Sequence, residues 1–186
     1  MPVTEYLIRN AELYPDEVAL VELNPDEKDT RRTTWKEFDL IQPSANMPYR
    51  REITWSVFNE KANRFANMLI SRGVKKGDKV AILMYNCLEW LPIYFGVLKT
   101  GAIAVPFNFR YDSDEIYYCA ELAQVDVIVF GFAFIGRIEV NAERLLRGRL
   151  LIYVGDNCPS FAESYHELVA DCSSKEPDVK ITEDDY

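Results

Sequence analysis

Histidine is the residue that this sequence has least of, since His166 is the only one among 186 residues. A catalytic triad around it would need a nucleophile on a tight turn, and the sequence has no Gly-x-Ser-x-Gly motif. The four cysteines lie far apart without a Cys-x-x-Cys pair, so their spacing fits no zinc site. We therefore expect His166 to be a surface or hydrogen-bonded side chain and the cysteines to be free thiols of a reducing compartment.

Positive charge is also scarce. Lysine and arginine number 21 against 30 acidic residues, which gives a net charge of −9. A protein that binds duplex DNA or an anionic membrane surface needs a cationic patch. The charge balance therefore predicts that the chain has no nucleic-acid partner.

Long apolar runs are lacking as well. The most apolar stretch, residues 90–107, is interrupted by Lys99 and Thr100, whereas a membrane-spanning helix needs about 20 apolar residues. The N-terminal segment carries Glu5, Arg9 and Glu12 and does not read as a signal peptide. We expect no integral membrane segment and a cytoplasmic location.

What the sequence does contain is an alternation of short apolar strands with amphipathic helices. Strands are predicted at residues 18–23, 79–84, 102–106, 125–130 and 150–154. Helices are predicted at residues 4–14, 54–72, 86–100, 112–123, 135–146 and 161–170. Pro92 indicates that the third helix starts later than residue 86 or is kinked. Its predicted buried residues are Leu91, Tyr94, Phe95 and Leu98. This alternation is typical of βαβ units. The predicted fold class is α/β, with a mostly parallel sheet flanked by helices on both faces.

One polar segment interrupts the pattern. Residues 26–51 contain Pro43 and Pro48 and predict a long insertion loop. Residues 34–39 (TWKEFD) resemble residues 54–59 (TWSVFN), but only the first copy has the capping-box pair Thr34 and Glu37. We divide the chain into an α/β subdomain, residues 1–172, and an acidic tail, residues 173–186. Its carboxylates Glu183, Asp184 and Asp185 are expected to be solvated.

Two motifs have simple structural explanations. Gly131 and Gly136 are spaced as in a phosphate-binding loop, but Arg137 and Ile138 stand where such a loop has lysine and a hydroxyl residue. We interpret this segment as a buried turn. Asp112 and Glu115 fit a capping box at the start of a helix.

The predicted architecture points to one candidate site. Ligands of open α/β sheets bind beyond the carboxyl ends of the strands. Asn108 and Arg110 follow such an end, and their side chains suit an anion or an adjacent domain. A turn with a surface ion pair explains the same residues, and both interpretations stay open.

Residues 54–129 also resemble a known family. The segments that carry the resemblance are GVKKGDKVAI, NCLEW and LKTGAIAVP, in this order. They are similar to the N-terminal region of the adenylate-forming superfamily, which includes acyl-CoA synthetases, luciferases and peptide-synthetase adenylation domains. Asn86, Glu89 and Trp90, with the PFN sequence at residues 106–108, are closer to the free-standing CoA ligases.

The resemblance implies a two-step ligation in which a carboxylate attacks the α-phosphate of Mg²⁺-bound ATP and the CoA thiol then displaces AMP. The family's phosphate loop, acidic magnesium ligand, ribose-binding aspartate and catalytic lysine have no counterpart in this sequence. No catalytic, cofactor-binding or metal-binding residue is therefore carried over. We expect an N-terminal fragment of an acyl-CoA synthetase that is inactive alone and binds ATP, Mg²⁺ and CoA poorly, with fatty acid as the default substrate class.

The expected partner is the remainder of the same polypeptide, including a nucleotide-binding subdomain. Separated from it, the chain should expose apolar surface and form a homodimer or higher species, with residues 127–135 (VIVFGFAFI) as the predicted surface. The alternative is a complete, non-enzymatic α/β binding or assembly module, because 186 residues suffice for an autonomous domain.

Overall fold

The strands form two separate sheets in the computed structural model, which describes residues 1–23, 50–183 and 185. Strands β1 (Val18–Leu23) and β2 (Arg50–Thr54) pair antiparallel. The second sheet is parallel and five-stranded, in the order β4-β3-β5-β6-β7. Its strands are β3 (Lys79–Leu83), β4 (Ile103–Pro106), β5 (Val127–Gly131), β6 (Leu150–Val154) and β7 (Glu163–Ser164).

Helices connect and cover these strands. They are α1 (Val3–Leu13), α2 (Trp55–Ser71), α3 (Trp90–Lys99), α4 (Ser113–Ala123), α5 (Ile135–Glu139), α6 (Ala142–Leu145) and α7 (Tyr165–Ala170), with a 3-10 turn at Phe132–Phe134. None of the helices in these ranges is both long and apolar enough to cross a membrane. The predicted α/β class with a parallel sheet between helices is confirmed.

The parallel sheet is buried on both faces because its apolar strands alternate between two cores. Val80, Val127 and Ile152 point to the core that contains Phe65 of α2 and the buried side chains of α3 and α7. Their neighbours along the strands point to the opposite core, beneath α4, α5 and α6, and these are Ala81, Leu83, Ile128, Phe130, Leu151 and Tyr153. Near-continuous apolar strands are what a sheet covered on both faces requires.

Helices α2 and α3 approach each other closely at Gly96. A Cβ atom at this position would lie 2.8 Å from Cδ1 of Phe65 and 2.9 Å from the carbonyl oxygen of Ala62. Helix α2 itself begins at Thr54, whose Oγ1 accepts a hydrogen bond from the Val57 N–H at 3.4 Å. Glycine at 96 therefore allows the backbone of α3 to contact α2 directly.

Helix α3 starts later than Asn86, as Pro92 indicates, but its buried face differs from the prediction. It begins at Trp90, which places Pro92 in the first turn, where proline is tolerated. Its fully buried residues include Ile93, Gly96 and Val97. The residues predicted to be buried are only half-buried, and these are Leu91, Tyr94, Phe95 and Leu98. The helix is apolar on most of its surface, so packing against α2 selected the face.

Two predicted helices are shorter in the structure. The helix predicted at residues 135–146 is divided into α5 and α6 at Asn141, whose buried Nδ2 donates to the Ser113 carbonyl at 2.9 Å. The helix predicted from residue 161 begins only at Tyr165, because β7 pairs with β6 and Ser164 then caps α7. Both differences come from contacts between distant segments.

The predicted insertion lies mostly outside the described residues, as do Thr34 and Glu37. Arg50 and Arg51, its last two residues, belong to β2 instead, where Arg51 lies opposite Glu22 of β1. Pairing with β1 explains why these charged residues are extended.

Of the carboxylates predicted to be solvated, Glu183 is exposed, whereas the Asp185 side chain is only 13% exposed and lies 2.6 Å from Lys76 Nζ. Asp184 lies outside the described residues.

The first part of the tail is bound to α2. Asn67 Nδ2 donates to the carbonyl oxygens of Ser173 and Lys175 at 2.8 and 2.9 Å, and Arg64 donates to that of Cys172 at 2.7 Å. The outward side of α2 thus supplies amide and guanidinium donors that hold the backbone of this segment.

All four cysteines are free, as predicted.

The predicted association surface, residues 127–135, is wrong for Val127–Phe130. These four residues are buried in β5, between β3 and β6. Within that segment the exposed large side chain is Phe132. Self-association of the chain itself remains a prediction.

Gly96→Ala should destabilise the protein. The added methyl group overlaps backbone as well as a ring, so we expect the free energy of unfolding to fall by about 1–3 kcal/mol. Urea denaturation followed by far-UV circular dichroism measures this change.

Gly136→Ala is the matched control. This glycine lies in α5, and a Cβ there would meet nothing within 4 Å. Alanine in an open helical position is expected to be neutral or to stabilise by up to about 1 kcal/mol. Equal effects of the two substitutions would contradict a close contact at Gly96.

Candidate functional site

The order of the strands reverses beside β3. From β3 the chain passes to β4 on one side and then returns to β5 on the other. At such a point the loops that follow the two strands diverge and leave a crevice at their carboxyl ends, where open α/β sheets bind ligands. A cavity of about 550 Å³ lies there, lined by the segments that follow β3, β5 and β6.

Aromatic rings form much of the cavity wall. The ring centroid of Tyr85 lies 5.1 Å from that of Phe134, and 5.8 Å from that of Phe109 behind it. Phe134 is fully buried, whereas Phe132 at the same cavity is 52% exposed. The rings of Tyr85 and Phe134 therefore pack together in the wall, and the ring of Phe132 is accessible.

An ion-pair cluster at the small sheet of β1 and β2 forms the opposite side of the cavity. Arg51 Nη2 lies 3.0 Å from Glu22 Oε2 and 3.8 Å from Glu89 Oε1. Glu22 also accepts a hydrogen bond from the Leu88 N–H at 3.0 Å. Because Glu22 and Arg51 belong to β1 and β2, this cluster joins the small sheet to the loop that follows β3 of the large one.

Gly155 forms the end of the cavity beyond β6. Its φ of +146° is one that side chains rarely adopt, and a Cβ there would lie 2.6 Å from the Tyr153 hydroxyl oxygen. That hydroxyl donates to the carbonyl of Asp156 at 2.8 Å. Glycine is thus needed at 155 for the chain to turn beneath the buried tyrosine.

Two groups that could take part in chemistry line the cavity. Burial, reinforced by the charge of Glu89, raises the pKa of the Cys87 thiol to about 12. His166 is exposed on α7, and its ring packs edge-on against Tyr165 at 5.4 Å. Among the described residues no hydrogen bond joins the thiol to the imidazole. Cys87 is therefore protonated at neutral pH and is not prepared as a nucleophile.

The candidate residues Asn108 and Arg110 lie beside this cavity, not in its wall. They follow β4, which is the edge strand, and both are exposed. Asn108 Oδ1 accepts a hydrogen bond from the Arg110 N–H at 3.0 Å, and the Arg110 guanidinium lies 5.6 Å from the Phe109 ring centroid. Their role at a substrate or interdomain edge remains a prediction.

The segment that resembles a phosphate-binding loop has another use. Arg137 donates from Nη1 to the carbonyl oxygens of Phe109 and Tyr111, at 2.6 and 3.0 Å. Its guanidinium group thereby fixes the loop after β4.

Across residues 1–23, 50–183 and 185, no group of three His, Cys, Asp or Glu side chains is placed to hold a metal ion.

Sequence reasoning missed the cluster of Glu22, Arg51 and Glu89. The one available signal was a carboxylate within the apolar sequence VALVEL, because a charge in a half-buried strand needs a partner. The partner could not be identified, since Arg51 was assigned to a loop and lies far from Glu22 in sequence.

Comparison with known proteins places this fold in a family. Residues 7–186 match the family described as AMP-binding enzyme. Over 146 residues the chain is 30% identical to the long-chain-fatty-acid–CoA ligase FadD13 of Mycobacterium tuberculosis. This match covers 78% of this chain and 27% of that protein. Over 84 residues it is 38% identical to the crotonobetaine/carnitine–CoA ligase of Salmonella enteritidis, covering 45% of this chain and 16% of the relative.

A solved structure shares the fold. The N-terminal domain of FACL13 from Mycobacterium tuberculosis superposes with a TM-score of 0.70 at 22% identity, and the match covers 100% of this chain and 40% of that one. The chain spans about a quarter or less of the length of the two curated relatives. Since the family match extends over almost all of the sequence, the chain belongs to the AMP-binding enzyme family.

Proposed function

We propose that this chain is the N-terminal part of an AMP-forming acyl-CoA synthetase. The parent protein would convert a carboxylic acid, ATP and CoA to acyl-CoA, AMP and pyrophosphate. The family match over residues 7–186 carries this proposal, and the CoA ligases among its relatives support the ligase class. Fatty acid is the proposed substrate class, because the relative FadD13 is a long-chain-fatty-acid–CoA ligase.

The described residues do not fit Mg²⁺·ATP by themselves. The arginine of the glycine-spaced segment is bonded to two carbonyl oxygens, and no carboxylate cluster among the described residues suits a metal ion. Phosphoryl and adenylyl transfer need such charges placed around the phosphates. We therefore derive no step through the nucleotide and infer that ATP, Mg²⁺ and CoA bind mainly to residues outside this chain.

The contribution of this chain would be a rigid wall. The buried parallel sheet fixes the segments that follow β3, β5 and β6. The ion-pair cluster of Arg51 fixes the small sheet of β1 and β2 beside them. A preorganised crevice with an exposed ring on one side and an ion-pair cluster on the other suits contact with an apolar group or with the neighbouring subdomain. The cytoplasm is the proposed location of the parent enzyme, and the rest of its polypeptide is the proposed partner.

The isolated chain should not form an acyl adenylate. We expect no acid-dependent exchange of labelled pyrophosphate into ATP above the protein-free blank, with fatty and aromatic acids as substrates. A full-length long-chain-fatty-acid–CoA ligase serves as the positive control. Acid-dependent exchange by the 186-residue chain would contradict the proposed inactivity.

The transcript tests the assignment to a longer enzyme. We expect the reading frame to continue past Tyr186 into a Ser/Thr/Gly-rich segment with a lysine, and the longer product to make CoA thioesters. A stop codon directly after Tyr186 would instead favour the non-enzymatic binding module.

Cys87 should react slowly in the folded chain. Raising its pKa from 9.0 to about 12 lowers the thiolate fraction at pH 8 by about a thousandfold. The greater nucleophilicity of a more basic thiolate offsets part of this loss, so alkylation should slow by roughly 10–100-fold. Iodoacetamide labelling followed by peptide mass spectrometry measures the rate. The same peptide in the urea-unfolded chain is the control, and equal rates in the two states would be the contrary result.

A further inference from the structure

The outward side of α2 carries a row of asparagines that faces the end of the chain. Asn59, Asn63 and Asn67 are spaced four residues apart and therefore lie on one side of the helix. Residues 173–183, called here the strap, run along this row. Asn63 donates to the Ser174 carbonyl at 2.9 Å, next to the two bonds from Asn67 described above.

Most of these contacts are made to the backbone of the strap. Carbonyl oxygens recur at every residue, so bonds to them hold an extended segment without selecting one register. Glu176 is different, because its side chain enters the row of asparagines. Its Oε1 accepts from Asn59 Nδ2 at 2.7 Å and from Asn63 Nδ2 at 2.9 Å, and its Oε2 accepts from Lys99 Nζ at 2.5 Å.

The pair of Lys99 and Glu176 differs from a surface ion pair because the lysine is buried. Its side chain is only 2% exposed, against 40% for that of Glu176. Asn59 Oδ1 accepts a second hydrogen bond from Lys99 Nζ at 2.8 Å, which orients the amide so that its Nδ2 faces the carboxylate. A buried ammonium group that loses its carboxylate is strongly unfavourable, whereas exposed pairs contribute little.

The titration behaviour agrees with this geometry. Burial alone would raise the pKa of Glu176, but the hydrogen bonds from Lys99, Asn63 and Asn59 hold it below its usual value. Burial lowers the pKa of Lys99, and Glu176 opposes that change. Each group therefore stabilises the charged form of the other.

We propose that Lys99, Asn59 and Asn63 form a carboxylate-binding notch whose resident ligand is Glu176, and that this contact latches the strap to α2. The ion pairs of Met1 with Glu183, at the far end of the strap, and of Lys76 with Asp185, just beyond it, include groups with high exposure. When the latch opens, the strap leaves as a unit while the parallel sheet stays folded, as expected for a segment bound mainly by exposed hydrogen bonds.

Hydrogen exchange of the 186-residue chain tests the latch. Glu176→Gln keeps the shape of the side chain and removes its charge, and charge-assisted bonds are about twice as strong as neutral ones. We expect amides of the strap to exchange about tenfold faster, with exchange in β5 unchanged. Lys99→Met, which removes the buried charge at similar volume, should accelerate the same amides and provides the measurement if Glu176→Gln does not fold.

Asp178→Asn is the matched control, since it removes one carboxylate from the exposed part of the same strap. We expect it to leave the exchange of the strap unchanged. Equal exchange in Glu176→Gln and Asp178→Asn would overturn the proposal. Acceleration that is equally large in β5 would overturn it too, because the contact would then support the whole fold and not the strap.

Discussion

Burial of the parallel sheet on both faces is the constraint on which the rest of the structure depends. Adjacent residues of β3, β5 and β6 point into two different cores, so each strand must be covered from both sides. Helices α2 and α3 meet this requirement on one face by approaching to backbone contact at Gly96. Helices α4, α5 and α6 cover the other face and contribute the buried side chains Ile116, Ile138 and Leu145 to its core.

The crevice follows from the same constraint. A parallel sheet needs crossover connections, and the reversal between β3 and β5 separates the loops at their carboxyl ends. The protein lines this gap with the rings of Tyr85 and Phe134 and closes one side with the pair of Glu22 and Arg51. These groups are fixed by packing, by the pairing of β1 with β2 and by the hydrogen bond from the Leu88 N–H to Glu22.

Polar contacts have a different role from the apolar core in this molecule. The two cores determine which helices cover the sheet, while asparagine and arginine side chains on α2 determine where the end of the chain lies. Lys99 connects the two systems, because it ends a core helix and its charged group is buried beside Glu176. Segments held in this second way can open without disturbing the sheet.

Local sequence patterns determined the class of the fold and most of its elements. Residues 18–23 and 150–154 were predicted with the bounds that the structure shows, and Asp112 with Glu115 forms the predicted capping box. Such features depend on neighbours within a few residues, and the chain itself specifies those neighbours. The resemblance of residues 54–129 to adenylate-forming enzymes likewise identified the family.

The site was less accessible from sequence, for a physical reason. Asn108 and Arg110 were chosen because they follow a strand, but which strand ends border the crevice depends on strand order, and no local pattern encodes that order. The face of α3 that is buried, the break at Asn141 and the partner of Glu176 also depend on residues far away in the chain. The sequence by itself determined most of the helices and strands, the cap at Asp112 and the family. Only the tertiary structure decided the crevice, the ion-pair cluster and the strap, because each requires groups from segments that meet only after the sheet has formed.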